Sequence, residues 1–394
     1  MVYVDRNVKI LFLSGLLSAY VTGIFELLFP FFLESRNLSI VNMGLIFSIS
    51  TLVISFLSIL HGEYADVYGR KKIYMASCSL SVMSKTIFPF TLNDLQILCT
   101  KFLSDLQDNL RISVHNIMLY ENVRENYAKN LSLFTTIDFI LQASGAIFFG
   151  FFLSYLGFSG LFFILATVEL AKLFLFFFYR ESDRKNDRRV SLRRAYSFKI
   201  NRNLFVLALS SAISSLGFGI AHGFLLPLYF HGKYGLDVFQ ISLVTVLHRL
   251  AFMTTSIAEK VIKKLGLRKT FILSTSSYAF SFLAIGVYTF PIPAFVALFL
   301  VHDLIGGGIG MTAMSVMTQT LTDDETRVRQ INTFSAIQTP VTILAPGISG
   351  MLAAMSWDYI FIAGGLLYIV SLSIFIALFK DSSLKTRENF SGNR

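Results

Sequence analysis

The stretch of the sequence that says most about the fold is residues 62–72. It reads Gly62-Glu63-Tyr64-Ala65-Asp66-Val67-Tyr68-Gly69-Arg70-Lys71-Lys72. Its two glycines allow a tight turn and a close approach of the backbone. The carboxylate of Asp66 can interact with a helix N-terminus or with a cation. Apolar sequence of helical length lies on both sides, so the stretch predicts a short charged turn between two membrane-spanning helices.

The composition of the whole chain supports a membrane protein. Of 394 residues, 54% are hydrophobic and 15% are charged, and the mean hydropathy is +0.64. Soluble domains carry about 25% charged residues. Cys78 and Cys99 both lie in apolar runs, which excludes a disulfide scaffold. No Cys/His spacing resembles a zinc site. Neither a metal centre nor a cofactor is therefore predicted. The net charge of +10 lies in short loops and forms no basic face, so a nucleic-acid partner is not expected.

Segments of about 20 mostly apolar residues, the length needed to cross a bilayer as a helix, occur between polar breaks along the whole chain. Twelve are predicted, at 9–33, 42–61, 72–92, 95–119, 130–153, 158–179, 203–229, 238–258, 270–290, 293–318, 330–354 and 358–379. The predicted fold class is therefore an all-α membrane protein with 12 transmembrane helices.

Alternate predicted loops differ sharply in their number of basic residues. Of 34 Lys and Arg, 27 lie in one set of alternate loops and the two termini, whereas the other set holds two, Arg36 and Lys233. The positive-inside rule then places both termini in the cytoplasm. The predicted domains are a six-helix bundle at 1–179, a basic cytoplasmic linker at 180–202, a second six-helix bundle at 203–380 and a cytoplasmic tail at 381–394.

Weak internal repeats support this division into halves. Phe29-Pro30-Phe31-Phe32 matches Leu226-Pro227-Leu228-Tyr229 at an offset of 197 residues, and later segments match at an offset of 200. Such repeats are typical of secondary transporters.

Residues 62–72 resemble the signature of the major facilitator superfamily, in which Gly, Asp four positions later and then Gly-Arg-Lys lie between the second and third helices. The resemblance implies two pseudo-symmetric six-helix bundles and a monomer. It also implies that this loop holds the cytoplasmic side closed. The implied gate residues are Gly62, Asp66, Gly69, Arg70 and Lys71. In the second half Lys263 replaces the acidic residue, so the gate is expected to be asymmetric.

Eleven charged residues fall inside the predicted helices, not counting those at the first position of a segment. Each would cost about 2.5 to 3.5 kcal/mol at the bilayer centre if it faced lipid, so most must face a cavity or a partner. They are Lys85, Lys101, Arg111, Lys172, Arg249, Glu26, Asp105, Asp108, Asp138, Glu169 and Asp303.

The fourth helix has the highest density of these charges. Lys101, Asp105, Asp108, Arg111 and His115 recur every three or four residues and share one helix face. The adjacent carboxylates could form a proton-accepting site. Alternatively, Lys101 with Asp105 and Asp108 with Arg111 form an internally compensated ladder that lines a water-filled cavity.

The resemblance further implies that helices one, four, seven and ten line a central cavity. On that basis the candidates for proton or ion coupling are Glu26, Asp105, Asp108 and Asp138. Candidates for substrate binding or charge balance are Lys101, Arg111, His115, Gln142, His222, Arg249, His302 and Asp303. Two simpler interpretations stay open: Glu26 forms a structural pair with Arg111 or Arg249, and Lys85, Glu169 and Lys172 are structural or reach towards the membrane surface.

The expected function is secondary active transport of a small molecule by alternating access, coupled to protons, in the plasma membrane. Antiport or efflux of amphipathic compounds is slightly preferred. The alternatives are a proton symporter or uniporter for a sugar or organic anion, and a non-transporting receptor that keeps the fold. An enzyme is not expected, because the intramembrane histidines lie on separate helices without a metal-binding spacing. Gly306–Gly310 is no phosphate loop, since no Lys-Ser/Thr follows it.

Overall fold

The computed structural model describes residues 6–122, 127–181, 200–322 and 327–380. All regular secondary structure in these ranges is helical, with no strand, which confirms the all-α class. Each of the twelve predicted segments lies mainly on helical backbone. Eight helices are long and apolar enough, by length and composition, to cross a membrane.

The helices of the first half are long and nearly uninterrupted. They are α1 (Arg6–Ser35), α2 (Ile40–Tyr68), α3 (Arg70–Ile87), α4 (Asp94–Asn122) and α5 (Tyr127–Phe177). The α5 range contains a break at Gly157, which has φ 63° and ψ 179°. This break separates the fifth predicted segment from the sixth.

The second half is more fragmented. Its helices are α6 (Arg202–His222), α7 (Leu226–Tyr234), α8 (Val238–Ala251), α9 (Ala258–Leu265), α10 (Leu267–Val287), α11 (Ile292–Val301), α12 (Gly310–Leu321), α13 (Arg327–Met355) and α14 (Trp357–Leu378). A 3₁₀ segment, Phe252–Ile257, follows α8, and a π-helix, His302–Ile309, joins α11 to α12.

Local sequence signals explain several helix ends. Ser39 caps α2 by accepting a hydrogen bond from the Asn42 N–H, and Asn201 caps α6 in the same way through the Leu204 N–H. Pro291 precedes α11, as expected for a residue that cannot continue the preceding helix.

By packing, the described residues divide into two compact units. The first unit contains those before residue 192 together with Phe230–Leu250, and the second contains the remainder. Linker residues 182–199 and tail residues 381–394 lie outside the described ranges.

Each unit has an aromatic-rich core. In the first, Tyr74 stacks on Phe176 at 3.9 Å and packs with Leu11 and Val114. In the second, Leu207, Phe271 and Phe375 belong to one buried cluster. Because lipid is as apolar as these side chains, helix association in a membrane depends on such close packing rather than on water exclusion.

Two glycines bring α1 and α5 into close contact. A Cβ atom added at Gly23 would lie 2.0 Å from the Gln142 carbonyl oxygen, and one at Gly145 would lie 2.5 Å from the Tyr20 carbonyl oxygen. Only glycine fits at both positions. This contact places the turn of α5 that carries Gln142 directly against α1.

Candidate functional site

The predicted gate turn is bound to the start of the linker. Gly69 separates α2 from α3 with φ 93°, in the region that favours glycine. The backbone N–H groups of Arg70 and Lys71 both donate to Oε1 of Glu181, at 2.5 and 3.2 Å. The carboxylate therefore caps the N-terminus of α3, where negative charge is favourable.

The side chain of Lys71 makes the complementary contact. Its Nζ donates to the carbonyl oxygens of Phe177, at 2.9 Å, and Tyr179, at 2.7 Å, at the end of α5. A cation is favourable at a helix C-terminus. Gly62 and Asp66 lie on the helical backbone of α2, and the Asp66 side chain lies outside the described part of the structure. The gate role of the five motif residues therefore stays a prediction.

The charges on α4 are compensated in pairs. Lys101 forms an ion pair with Asp105, which also accepts a hydrogen bond from the Ser50 hydroxyl at 2.5 Å. Arg111 pairs with Asp108 at 3.0 Å. Both pairs of the predicted ladder are present, so each carboxylate lies beside a positive charge one helical turn away.

His115, at the end of this stripe, is buried among aromatic rings. Its ring centroid lies 6.1 Å from that of Tyr74 and 5.5 Å from that of Phe134. Neither ring nitrogen has a hydrogen-bond partner among the described residues. Its surroundings favour the neutral imidazole, because a buried charge without a partner is costly.

Two further acidic candidates lie in the first unit. Glu26 forms an ion pair with Arg249 of α8, and their side chains are 44% and 17% exposed. Asp138 accepts a hydrogen bond from the side-chain amide of Gln142 at 2.6 Å. Among the described residues Asp138 has no cation within ion-pair distance, unlike Glu26, Asp105 and Asp108.

Lys85 makes buried contacts that the sequence pattern did not predict. The residue is buried in the first unit, where Nζ donates to the Ser104 hydroxyl at 2.8 Å and lies 3.3 Å from the centroid of the Phe25 ring. A cation over an aromatic face is stabilised by the ring quadrupole. No periodicity within α3 indicates this contact, because both partners lie on other helices.

Glu169 and Lys172 form a buried ion pair in the first unit. The distance between Oε2 and Nζ is 2.6 Å, and Lys172 also donates to the Ser18 hydroxyl of α1 at 2.9 Å. Their spacing of three residues predicted a local pair. Both side chains are buried in the protein and pair with each other, which favours the structural interpretation.

In the second unit, three candidate residues come together. His302 and Asp303 begin the π-helix, are fully buried, and are joined by a 3.0 Å contact between Nε2 and Oδ1. His222 lies at the end of α6. One ligand atom from each of the three side chains lies within 4.8 Å of the other two.

Aromatic rings surround this cluster. Phe218 stacks on the His222 ring at 4.5 Å, and Phe299 lies 4.6 Å from the His302 ring. Tyr278 and Phe282 lie 5.2 and 5.0 Å from His302. The imidazoles are therefore held in position by packing on several sides.

The glycine run of the π-helix allows neighbouring elements to approach closely. A Cβ atom added at Gly308 would lie 2.0 Å from the Thr254 hydroxyl oxygen. The wide turn presents carbonyl oxygens to hydroxyl groups: Leu304 accepts from Thr254 at 2.8 Å, and Gly306 accepts from Ser274 at 3.1 Å. Backbone groups released from regular helix pairing are thus satisfied inside the membrane region.

Comparison with solved structures identifies the fold. The nucleoside transporter NupG superposes with a TM-score of 0.76 at 13% identity over 95% of this chain and 100% of that one. A bacterial homologue of the iron transporter ferroportin, in an inward-facing state, gives 0.77 at 17% identity over 95% and 99%. The human organic anion transporter MFSD10 gives 0.70 at 14% identity over 95% and 100%.

At these identities the solved structures show the shared fold alone. A search of characterised protein sequences finds no match. The sequence model of the Major Facilitator Superfamily matches residues 11–301 and 207–392, which together cover nearly the whole chain. The chain therefore belongs to the major facilitator superfamily and is an integral, multi-pass membrane transporter.

Proposed function

We propose that the chain is a proton-coupled secondary active transporter that works by alternating access as a monomer in the plasma membrane. Antiport or efflux of amphipathic compounds is slightly preferred. The observation that carries this proposal is the environment of Asp138, whose carboxylate is hydrogen-bonded to a neutral amide while the other three acidic candidates of the first unit are paired with cations.

A carboxylate that exchanges a proton during a transport cycle must be able to exist in both forms. Protonation of Asp105 or Asp108 would leave Lys101 or Arg111 as an uncompensated charge, which is costly inside a membrane. Asp138 carries no such penalty. Gln142 offers an amide hydrogen to the ionised form and an amide oxygen to the protonated form, so both states of Asp138 can be hydrogen-bonded.

The pair of Glu26 and Arg249 supports a substrate that carries a cationic group. Glu26 is the more exposed partner, so a cationic group can approach its carboxylate and compete with Arg249.

Other substrates stay open. Arg249 and Arg111 could instead bind an organic anion or a hydroxylated compound, the basis for the alternative of a proton symporter or uniporter. The structurally similar proteins are a nucleoside transporter, a homologue of an iron transporter and an organic anion transporter, so the shared fold does not select a substrate. A non-transporting receptor would bind without moving solute.

The test uses purified protein in liposomes that contain a pH-sensitive dye. The liposomes are loaded in turn with lipophilic cations, sugars, organic acids and amino acids, and the lumenal pH is followed as each solute leaves. Antiport acidifies the lumen, whereas symport makes it alkaline. We expect Asp138→Asn to abolish the pH change while labelled solute still exchanges across the bilayer.

The control is Glu34→Gln, which neutralises an exposed carboxylate at the end of α1 and should leave the pH change intact. Proton coupling through Asp138 is wrong if Asp138→Asn keeps a full substrate-dependent pH change. The transporter proposal itself is wrong if solutes bind but none crosses the bilayer.

A further inference from the structure

The second unit contains a cluster of imidazole and carboxylate side chains that the proposed proton and substrate path does not use. We propose that His222, His302 and Asp303 bind one divalent transition-metal cation. The ion would link α6 to the π-helix. Its binding is independent of the proposed transport function, because none of the three residues takes part in the proposed proton and substrate path.

The donor atoms suit a metal in number and type. Two imidazole nitrogens and one carboxylate oxygen form a mixed set that is typical of Zn²⁺, Co²⁺ and Fe²⁺. Mg²⁺ and Ca²⁺ prefer shells made of oxygen atoms, so they should bind poorly here. The donor set thus predicts that Zn²⁺, Co²⁺ and Fe²⁺ bind more tightly than Mg²⁺ and Ca²⁺.

The distances are close to those of a coordination shell. With metal–ligand bonds of about 2.0 to 2.1 Å, the ligand atoms of a tetrahedral site lie about 3.4 Å apart. The contact between His302 and Asp303 is 3.0 Å, and the atoms of all three side chains lie within 4.8 Å of one another. Side-chain rotations that move the outermost ligand atoms inward by up to about 1.4 Å would complete the shell.

The surrounding structure orients these ligands. The His222 ring is stacked on Phe218, and the His302 ring is enclosed by Tyr278, Phe282 and Phe299. An ordinary α-helix turns about 100° per residue, whereas a π-helix turns less, so His302 and Asp303 point in more similar directions here. π-Helical turns frequently occur at functional sites.

The charge balance also favours a cation. Asp303 is fully buried in a segment predicted to lie within the membrane, where an acidic side chain is costly unless a positive charge compensates it. A divalent ion shared with two imidazoles supplies that charge without protonating either ring. The ion would also hold α6 against the π-helix.

The site is closed to solvent in this conformation, which sets the conditions of the experiment. His302 and Asp303 have no exposed surface, so the ion enters only after a local opening of the helices. Binding is therefore expected to be slow, and titrations must be followed until no further change occurs.

The test uses the full chain, purified without a polyhistidine tag and stripped with a chelator. Co²⁺ is added and its visible absorption is recorded, and the Zn²⁺-loaded protein is examined by X-ray absorption. We expect one ion per chain with two imidazole ligands, a higher thermal unfolding temperature with Zn²⁺, and no displacement by excess Mg²⁺. His222→Ala, His302→Ala and Asp303→Asn should each weaken binding at least about tenfold.

His231→Ala is the matched control, since it removes an imidazole that lies in the first unit and contacts the Leu236 carbonyl. It should leave Co²⁺ binding unchanged. The proposal is overturned if the unmodified chain binds no Co²⁺, if the three variants bind it as tightly, or if X-ray absorption finds fewer than two imidazoles. The spectra of the unmodified chain decide the question even if a variant fails to fold, and no substrate or proton gradient is needed, so failure of the transport proposal would be a separate result.

Discussion

At the level of single residues, the first unit contains a nearly inaccessible ion pair. The side chains of Lys172 and Glu169 are only 1% and 3% exposed, and they interact at 2.6 Å. Removing one member of a buried pair leaves the other as an uncompensated charge, whereas replacing both with apolar residues is often neutral. Comparing the single replacements with the double replacement therefore measures how much the interaction between the two side chains contributes to stability.

We expect Lys172→Met to destabilise the protein by about 3 to 5 kcal/mol, because Glu169 would remain buried and unpaired. Glu169→Leu should be similarly damaging. The double variant should recover most of the lost stability. Thermal unfolding of the four proteins in one detergent measures this coupling.

The control for this cycle is Lys263→Met, which breaks the exposed pair of Glu259 and Lys263 on α9. Exposed pairs contribute little, so its unfolding temperature should barely change. If the double variant is as unstable as the two single losses combined, the residues are not coupled and the interpretation as a structural pair is wrong.

At the level of elements, the contact between α3 and the end of α5 involves a long-range helix cap. Glu181 accepts from two N–H groups at the start of α3. A helix N-terminus leaves such groups unpaired unless a side chain satisfies them. Here the capping residue lies more than a hundred positions further along the chain.

We expect Glu181→Ala to lower stability by about 1 kcal/mol, since it removes a capping carboxylate that is exposed to solvent. The loss should be smaller at high salt, because screening weakens exposed charge interactions. Thermal unfolding at low and high salt measures both effects. Glu259→Ala is the control, and an equal loss in that variant would show that the cap has no specific role.

The π-helix is an element that the apolar pattern did not predict. The segment predicted at 293–318 contains nearly all of α11, the π-helix and part of α12, all within one apolar stretch. The glycine run indicated bending or close packing, and the structure shows close packing against Thr254 and Tyr278. Hydropathy cannot distinguish a π turn from an α turn, because the average over an apolar stretch does not depend on the rotation per residue.

At the level of the whole molecule, the orientation predicted from basic residues can be tested directly. In a variant without the two native cysteines, Leu92→Cys places a thiol between α3 and α4, at a position that is 82% exposed and predicted to lie outside. Lys264→Cys places one on α9, predicted to lie in the cytoplasm.

In intact cells a membrane-impermeant maleimide should label Leu92→Cys and should label Lys264→Cys only after permeabilisation. The cysteine-free protein, which should remain unlabelled, is the control. The reverse pattern would mean that the termini lie outside and that the bias in basic residues does not set the orientation of this chain.

Much of the architecture could be predicted from the sequence. The helical class, the approximate positions of the helices and the family follow from apolar run length and from residues 62–72. The pairs on α4 were also predictable, since residues three or four apart on a helix are neighbours whatever surrounds them. These properties depend on segments of the chain taken one at a time, because the bilayer acts on each segment as a solvent.

Only the tertiary structure decided which candidates meet across helices. In the structure Glu26 pairs with Arg249, and Asp138 is hydrogen-bonded to the neutral amide of Gln142. A ring nitrogen of His222 lies within 4.8 Å of ligand atoms of His302 and Asp303. Such contacts depend on how each helix is rotated about its axis and which helices pack together. Several rotations satisfy the same apolar pattern, whereas close packing at positions such as Gly23 and Gly145 permits one, so the chemistry of the site was fixed by packing and not by composition.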